Sequence, residues 1–174
     1  MNCFEFRGTI IRMDAEKLEF ADHSFDFIWS WGVIHHSSNP RRILEEIRRV
    51  LRTGGQAITM VYHRNFWNYY IMGGLFTGVL QGDLLRTKSL HKTIQRYTDG
   101  AMARFYTILE WESLVSDIFG IEKIAIFGSK SYIIPLPAGR VKNCIMQVIP
   151  NSFSRFLTNK IRMGTFLVSV LRKR

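Results

Sequence analysis

Apolar positions along the chain change period several times, and each change marks an element. Phe25-Asp26-Phe27-Ile28-Trp29-Ser30 is nearly all apolar rather than alternating, the pattern of a strand covered on both faces of a parallel sheet. Pro40 to Arg52 instead carries Ile43, Ile47, Val50 and Leu51 at helical spacing, one apolar stripe on a charged segment. Asn39 is a good N-cap and Pro40 suits the first helical position. Glu45 and Arg49 stand four apart in the favourable order, and Gly54-Gly55 stops the helix by supplying a left-handed cap. Gln56–Val61, rich in Ile, Thr and Val, returns to strand. Strand, loop, helix, Gly-Gly and strand form a βαβ unit, which implies parallel strands joined by a right-handed crossover.

The flanks yield to the same reading. Gly8 to Asp14 is a short β-branched run ending in an acid, and it predicts a strand with Asp14 at its carboxyl end. Ala15–Phe20 predicts a short helix or loop, and Ala21–Ser24 a polar turn. From His63 to Arg104 no simple period holds. The aromatic start (Phe66, Trp67, Tyr69, Tyr70) and the basic segment Arg86–Arg96 predict an insertion over 63–106, in the manner of a lid or binding loop. Thr107-Ile-Leu-Glu110 has the capping-box pattern. Trp111, Leu114, Val115 and Ile118 follow at helical spacing, and Gly120 ends that helix. Ile121–Ser129 predicts a strand, Pro135 and Pro137 an irregular turn, and Asn143–Lys160 a helix broken near Pro150. Gly164–Leu171 predicts a last strand before the basic end Arg172-Lys173-Arg174. The 174 residues suit one α/β domain.

Composition changes this picture little. Hydrophobic residues make up 47% and charged residues 22%, which permits a packed core. Two cysteines, Cys3 and Cys144, form neither a disulfide framework nor a zinc spacing, so a reducing, cytoplasmic setting is expected. The N-terminus lacks the apolar core of a secretory signal. The longest apolar stretch, Phe66–Leu80, is short of the roughly 18–20 residues a spanning helix needs. Charge is uneven: Met1–Tyr62 balances 8 basic against 8 acidic residues, while His63–Arg174 has 16 against 6 and supplies the whole net +10. A basic excess suits anionic partners, but the charges are scattered and no nucleic-acid motif is present, so nucleic acid is disfavoured.

Ligands of open α/β sheets bind outside the carboxyl ends of the strands. Two loops occupy such ends: Asp14-Ala15-Glu16 and Ser30 to His36. A carboxylate there can accept from a ligand's amino group, or Asp14 can simply cap the turn after it. His23, His35 and His36 make a poor chelating set, so no metal is expected.

Taken in order, four pieces carry a resemblance: Asp14-Ala15-Glu16-Lys17-Leu18-Glu19-Phe20, Ser24-Phe25-Asp26-Phe27-Ile28, Val33-Ile34-His35-His36, and Ile43 to Gly55. Together they resemble the type-11 (menaquinone-methyltransferase-like) family of class I S-adenosylmethionine-dependent methyltransferases. Tyr97-Thr98-Asp99-Gly100, the capped helix from Thr107 and Met163–Val168 fit more loosely. The resemblance implies a Rossmann-like sheet, mostly parallel with an antiparallel last strand, of which this chain carries the third to seventh strands. It implies S-adenosyl-L-methionine as cofactor and a small-molecule methyl acceptor. Asp14 would receive the adenine amino group, with Ala15 behind the ring. Ser30, Trp31 and Gly32 would line the cofactor's methionine side. His35 and His36 would lie where the substrate enters, His36 being a candidate base, and the 63–106 insertion would shape the substrate pocket.

The departure from the family pattern is as informative. No Gly-x-Gly occurs anywhere in the chain, so the close backbone approach of a glycine-rich cofactor loop has no source here. The first two strands of the family sheet have no counterpart, and N-terminal truncation is the resulting expectation. The missing strands would lie between the third and fourth, so their absence predicts open sheet edges. The alternative is a non-catalytic methyltransferase-like module that binds a partner or an anionic membrane surface.

Overall fold

The computed structural model describes residues 8–80, 82–95, 102–134, 136 and 139–174. Its centre is a mixed sheet. Strand β1 (Phe25–Trp31) runs parallel to β2 (Leu51–His63), and helix α1 (Pro40–Val50) is the crossover between them. This is the βαβ unit that the periodicity predicts. Beyond β2 the order continues with β5 (Phe166–Arg172) and then β4 (Gly120–Phe127), and β5 is antiparallel to both neighbours. A two-residue strand β3 (Phe105–Tyr106) pairs in parallel with the far end of β2 at Tyr62 and His63.

Local chemistry explains the helices. The Asn39 side chain accepts from Arg42 N, and Pro40 opens α1. Helix α4 (Ile108–Val115) starts on a complete capping box between Thr107 and Glu110. Its buried Trp111 and Val115, with Ile118 and Phe119 beyond, join Ile43, Leu44 and Ile47 of α1 in one core. The 63–106 stretch holds a π-helical segment Phe66–Leu80 and two short helices, α2 (Asp83–Thr87) and α3 (Leu90–Gln95). The predicted break near Pro150 separates α5 (Arg140–Val148) from α6 (Asn151–Arg155), which runs on into a π-helical turn, Phe156–Lys160.

Register assigns the two sides of the sheet. The rows Ser30–Thr59–Ser169 and Ile28–Ala57–Leu171 lie on the side covered by α1 and α4. There Thr59 and Ser169 share a 2.6 Å hydroxyl contact, and Trp111 Nε1 donates to Ser169 Oγ at 2.9 Å, so these three polar side chains are satisfied. The row Trp29–Ile58–Val170 lies on the other side. Phe27, Trp29 and Trp31 are exposed there, and the two tryptophans stack at 4.9 Å with their planes 7° apart.

Several expectations need correction. Gly8–Asp14 is not a strand: it pairs with no strand among the described residues, and Ile10 is 99% exposed. Strand propensity is realised only on a ladder, and the described residues offer this segment no neighbour. Gly54-Gly55 does not cap α1. The helix ends at Val50 with Leu51 already extended, and the glycines lie inside β2. Gly54 adopts φ 78°, and a side chain at Gly55 would crowd the Asp26 carbonyl at 3.1 Å, which accompanies the register shift between Phe25 and Phe27. Glu45 pairs with Arg41 and Arg42 rather than with Arg49. Gly120 opens β4 instead of closing α4, which ends at Val115. Tyr97–Gly100, Pro135 and Pro137 lie outside the described residues.

Candidate functional site at the carboxyl rim of the sheet

Because β1 and β2 are parallel, their carboxyl ends share one rim. The chain leaves β1 through Gly32, whose φ of 75° only glycine adopts without strain, and whose N–H donates to the Met60 carbonyl at 3.4 Å. A 3-10 turn, Ile34–His36, comes next and leads to the N-cap of α1. Ser30 and Trp31 reach the rim together but part company there. Ser30 is buried on the helix-covered face, while Trp31 stacks on Trp29 on the open one.

The Asp14 turn is tied to this same loop. Asp14 Oδ1 accepts from Glu16 N at 2.9 Å, and Lys17 N donates to the Asp14 carbonyl. Asp14 therefore does cap its own turn, and its side chain remains exposed. The next acid makes the link. Glu16 Oε1 accepts from Ser37 Oγ at 2.5 Å, Ser38 Oγ at 3.0 Å and Asn39 N at 3.1 Å. These bonds, the Ser37 hydroxyl foremost, hold its carboxyl below the usual range. Ala15, between the two acids, packs against the core. Glu46, buried on α1, anchors the segment beyond Lys17: it accepts from Leu18 N at 2.9 Å and from Arg49, and it is held ionised chiefly by the Arg49 hydrogen bond. Arg49 in turn donates to the carbonyls of Leu18 and Phe20.

The two histidines have opposite situations. His36 Nδ1 lies 2.6 Å from the Met102 carbonyl. A carbonyl only accepts, so Nδ1 is the donor in this contact. His35 is fully buried, with its ring centroid 3.9 Å from that of Tyr62 and 4.2 Å from that of His36. Neither of its ring nitrogens has a hydrogen-bond partner; the Met60 carbonyl is near enough to act on its charge but outside hydrogen-bonding geometry. Burial first, and the neighbouring His36 second, push His35 down to about 4, so it is neutral at physiological pH. The 102–106 segment closes over the loop: Arg104 N donates to the His35 carbonyl and its guanidinium to that of Ser38, each at 2.9 Å.

Sequence reading missed Glu16, Tyr62 and Arg104. A signal for Glu16 existed, since Ser37-Ser38-Asn39 crowds hydroxyls and a free helix-start N–H around a point that needs an acceptor. Tyr62 and Arg104 gave none, because their roles depend on β3 meeting β2. A groove of about 570 Å³ runs along β4, lined by Ile121 to Phe127, Asn159, Lys160 and Arg162 among others. It lies at the opposite edge of the sheet from β1 and takes no part in this rim. Among the described residues, no helix is long and apolar enough to cross a membrane.

Residues 3–59 match the methyltransferase-domain family. A stretch of 43 residues is 44% identical to sarcosine/dimethylglycine N-methyltransferase of Aphanothece halophytica, covering 25% of this chain and 16% of that enzyme. The chain thus spans only a small part of this curated relative. Among solved structures, a methyltransferase of Bacillus halodurans superposes with a TM-score of 0.54 at 16% identity, over 94% of this chain and 76% of that one. The methyltransferase solved in complex with the Haloferax volcanii Trm112 activator gives 0.54 at 19% identity, over 92% and 59%. At these identities the two structures establish the fold, an α/β methyltransferase-like sheet.

Proposed function

We propose, on the premise that residues 3–59 are methyltransferase-domain sequence, that this protein takes part in S-adenosylmethionine-dependent methyl transfer to a small-molecule acceptor. The carboxyl rim of β1 and β2 is then its share of the cofactor site. The observation that carries this reading is the Glu16 clasp, which joins the Asp14-Ala15 turn to the loop after β1.

The rim fits one side of such a ligand. Asp14 commits only Oδ1 within its own turn, leaving its other oxygen to accept from an amino group. Ala15 backs that position, and Ser30, Trp31 and Gly32 supply the neighbouring wall. His35 keeps unspent hydrogen-bonding capacity inside the same rim. The cofactor, when bound, brings a methyl group already activated on a sulfonium, so the protein's task is alignment. His36, protonated at Nδ1, is suited to take the acceptor's proton at Nε2. Segment 63–106 forms the substrate side. No Gly-x-Gly occurs in the chain and the outer edge of β1 is unpaired among the described residues, so the rim offers the ligand one wall without a glycine-rich loop.

Calorimetric titration of the full gene product with S-adenosylhomocysteine tests the assignment. Asp14→Ala is expected to weaken binding about ten-fold, the worth of one hydrogen bond to a charged group. Unchanged affinity in that variant removes Asp14 from the site. No binding by the unmodified gene product sinks the reading altogether.

A further inference from the structure

We propose that the α5–α6 region is a docking surface for an anionic lipid bilayer. This role is independent of methyl transfer, and its first basis is charge. Residues 123–174 contain ten lysines and arginines and no aspartate or glutamate, so this segment alone equals the formal net charge of +10. Two of the ten serve the fold: Arg172 pairs with Glu122, and the buried Lys173 donates to the Leu51 carbonyl at 2.7 Å. Arg140, Lys142, Arg155, Lys160 and Arg162 form no ion pair among the described residues.

Apolar groups stand among these cations. In α5, Val141, Cys144, Ile145 and Val148 recur at three- and four-residue spacing and so share one face. No residue of α5 is buried; Val141 is 68% exposed and Val148 82%. Arg140 and Lys142 fall on either side of that stripe, where long basic side chains can reach headgroups while the stripe enters the acyl boundary. Past Pro150 the exposed apolar groups continue with Phe153, Phe156 and Ile161.

The two features select one partner. A segment without a single acid calls for an anionic one. Nucleic acid is anionic, but it offers phosphates and base edges, and valine and isoleucine side chains standing clear of the body have nothing to read there. A bilayer bearing anionic headgroups offers both charge and hydrocarbon. Each basic residue near such a surface raises the partition coefficient about five-fold.

Vesicle flotation decides the matter. The protein is expected to float with phosphatidylcholine vesicles containing about 30% phosphatidylserine, and to lose most of that binding in pure phosphatidylcholine or at about 0.5 M salt. The triple variant Val141→Ser, Ile145→Ser, Val148→Ser removes no buried group, so its thermal melt should match wild type while its partitioning falls at least ten-fold. A polarity-sensitive dye on Cys144, in a Cys3→Ser background, should shift blue with the anionic vesicles only. The proposal is overturned by an absence of flotation, or by equal binding to neutral vesicles. It is also overturned by undiminished flotation of the folded triple variant, which would point to the exposed tryptophans of β1, or by RNA binding that persists in that variant without flotation.

Discussion

Along a single strand, β1, alternate residues meet two different environments. Ile28 and Ser30 point into a core completed by α1 and α4, where Trp111 is fully buried and its indole N–H is bonded. Trp29 and Trp31, one position away, are 57% and 44% exposed and find mainly each other. Both faces of β1 carry apolar residues, but among the described residues only one is covered. A run of apolar residues thus specifies that two faces want burial, without specifying that the described residues provide both covers. Exposed contiguous apolar surface of this kind marks an interaction site or a liability to self-association.

The contrast can be broken most directly at its two tryptophans. Trp111→Ala should cost about 3–5 kcal/mol in urea denaturation, from lost transfer energy, a cavity and the loss of the indole hydrogen bond to Ser169. Trp29→Ala should change stability by no more than about 0.5 kcal/mol. Similar losses at the two sites would mean that the open face is covered after all.

A smaller effect sharpens the comparison through pH. His35 belongs to the covered side, and its folded pKa lies at about 4 against the ordinary 6.5. Its contribution to stability is therefore complete above about pH 6.5 and is lost as pH falls toward 4. Between about pH 7 and pH 5 that loss is about 2 kcal/mol. His35→Phe keeps a ring against Tyr62 and cannot take up the proton, so its stability should fall by that much less over the same interval. Equal pH dependence in the two proteins would remove His35 as the source.

The smallest change in folding energy belongs to the double variant Trp29→Ser, Trp31→Ser. Its unfolding midpoint should stay within a degree or two of wild type, while sedimentation velocity shows less self-association. Unaltered association would acquit the tryptophan stack.

Legibility in the sequence depends on the range of the interactions involved. The apolar stripe of α1, the Asn39-Pro40 start, the Thr107–Glu110 capping box and the break at Pro150 depend on residues within a few positions of one another, and all appear in the structure. Gly8–Asp14 does not form a strand because a ladder needs a distant partner. Gly54-Gly55 is ambiguous in sequence because helix cap and strand irregularity both use a glycine with positive φ. Of the site, the loop after β1 is legible as a strand end, whereas the Asp14 turn follows no strand. Their fastening through Glu16 is not legible, because that bond spans 21 residues between Glu16 and Ser37.

The position of β5 has a consequence for biosynthesis. In space it is the middle of the sheet, between β2 and β4; in sequence it is Phe166–Arg172. During translation, β2 and β4 must wait as separate pieces, each with an unsatisfied edge, until that strand clears the ribosome. The nascent chain therefore carries a hazard of mispairing until β5 is made, and this strand, the last in sequence among those described, works as the keystone of the sheet.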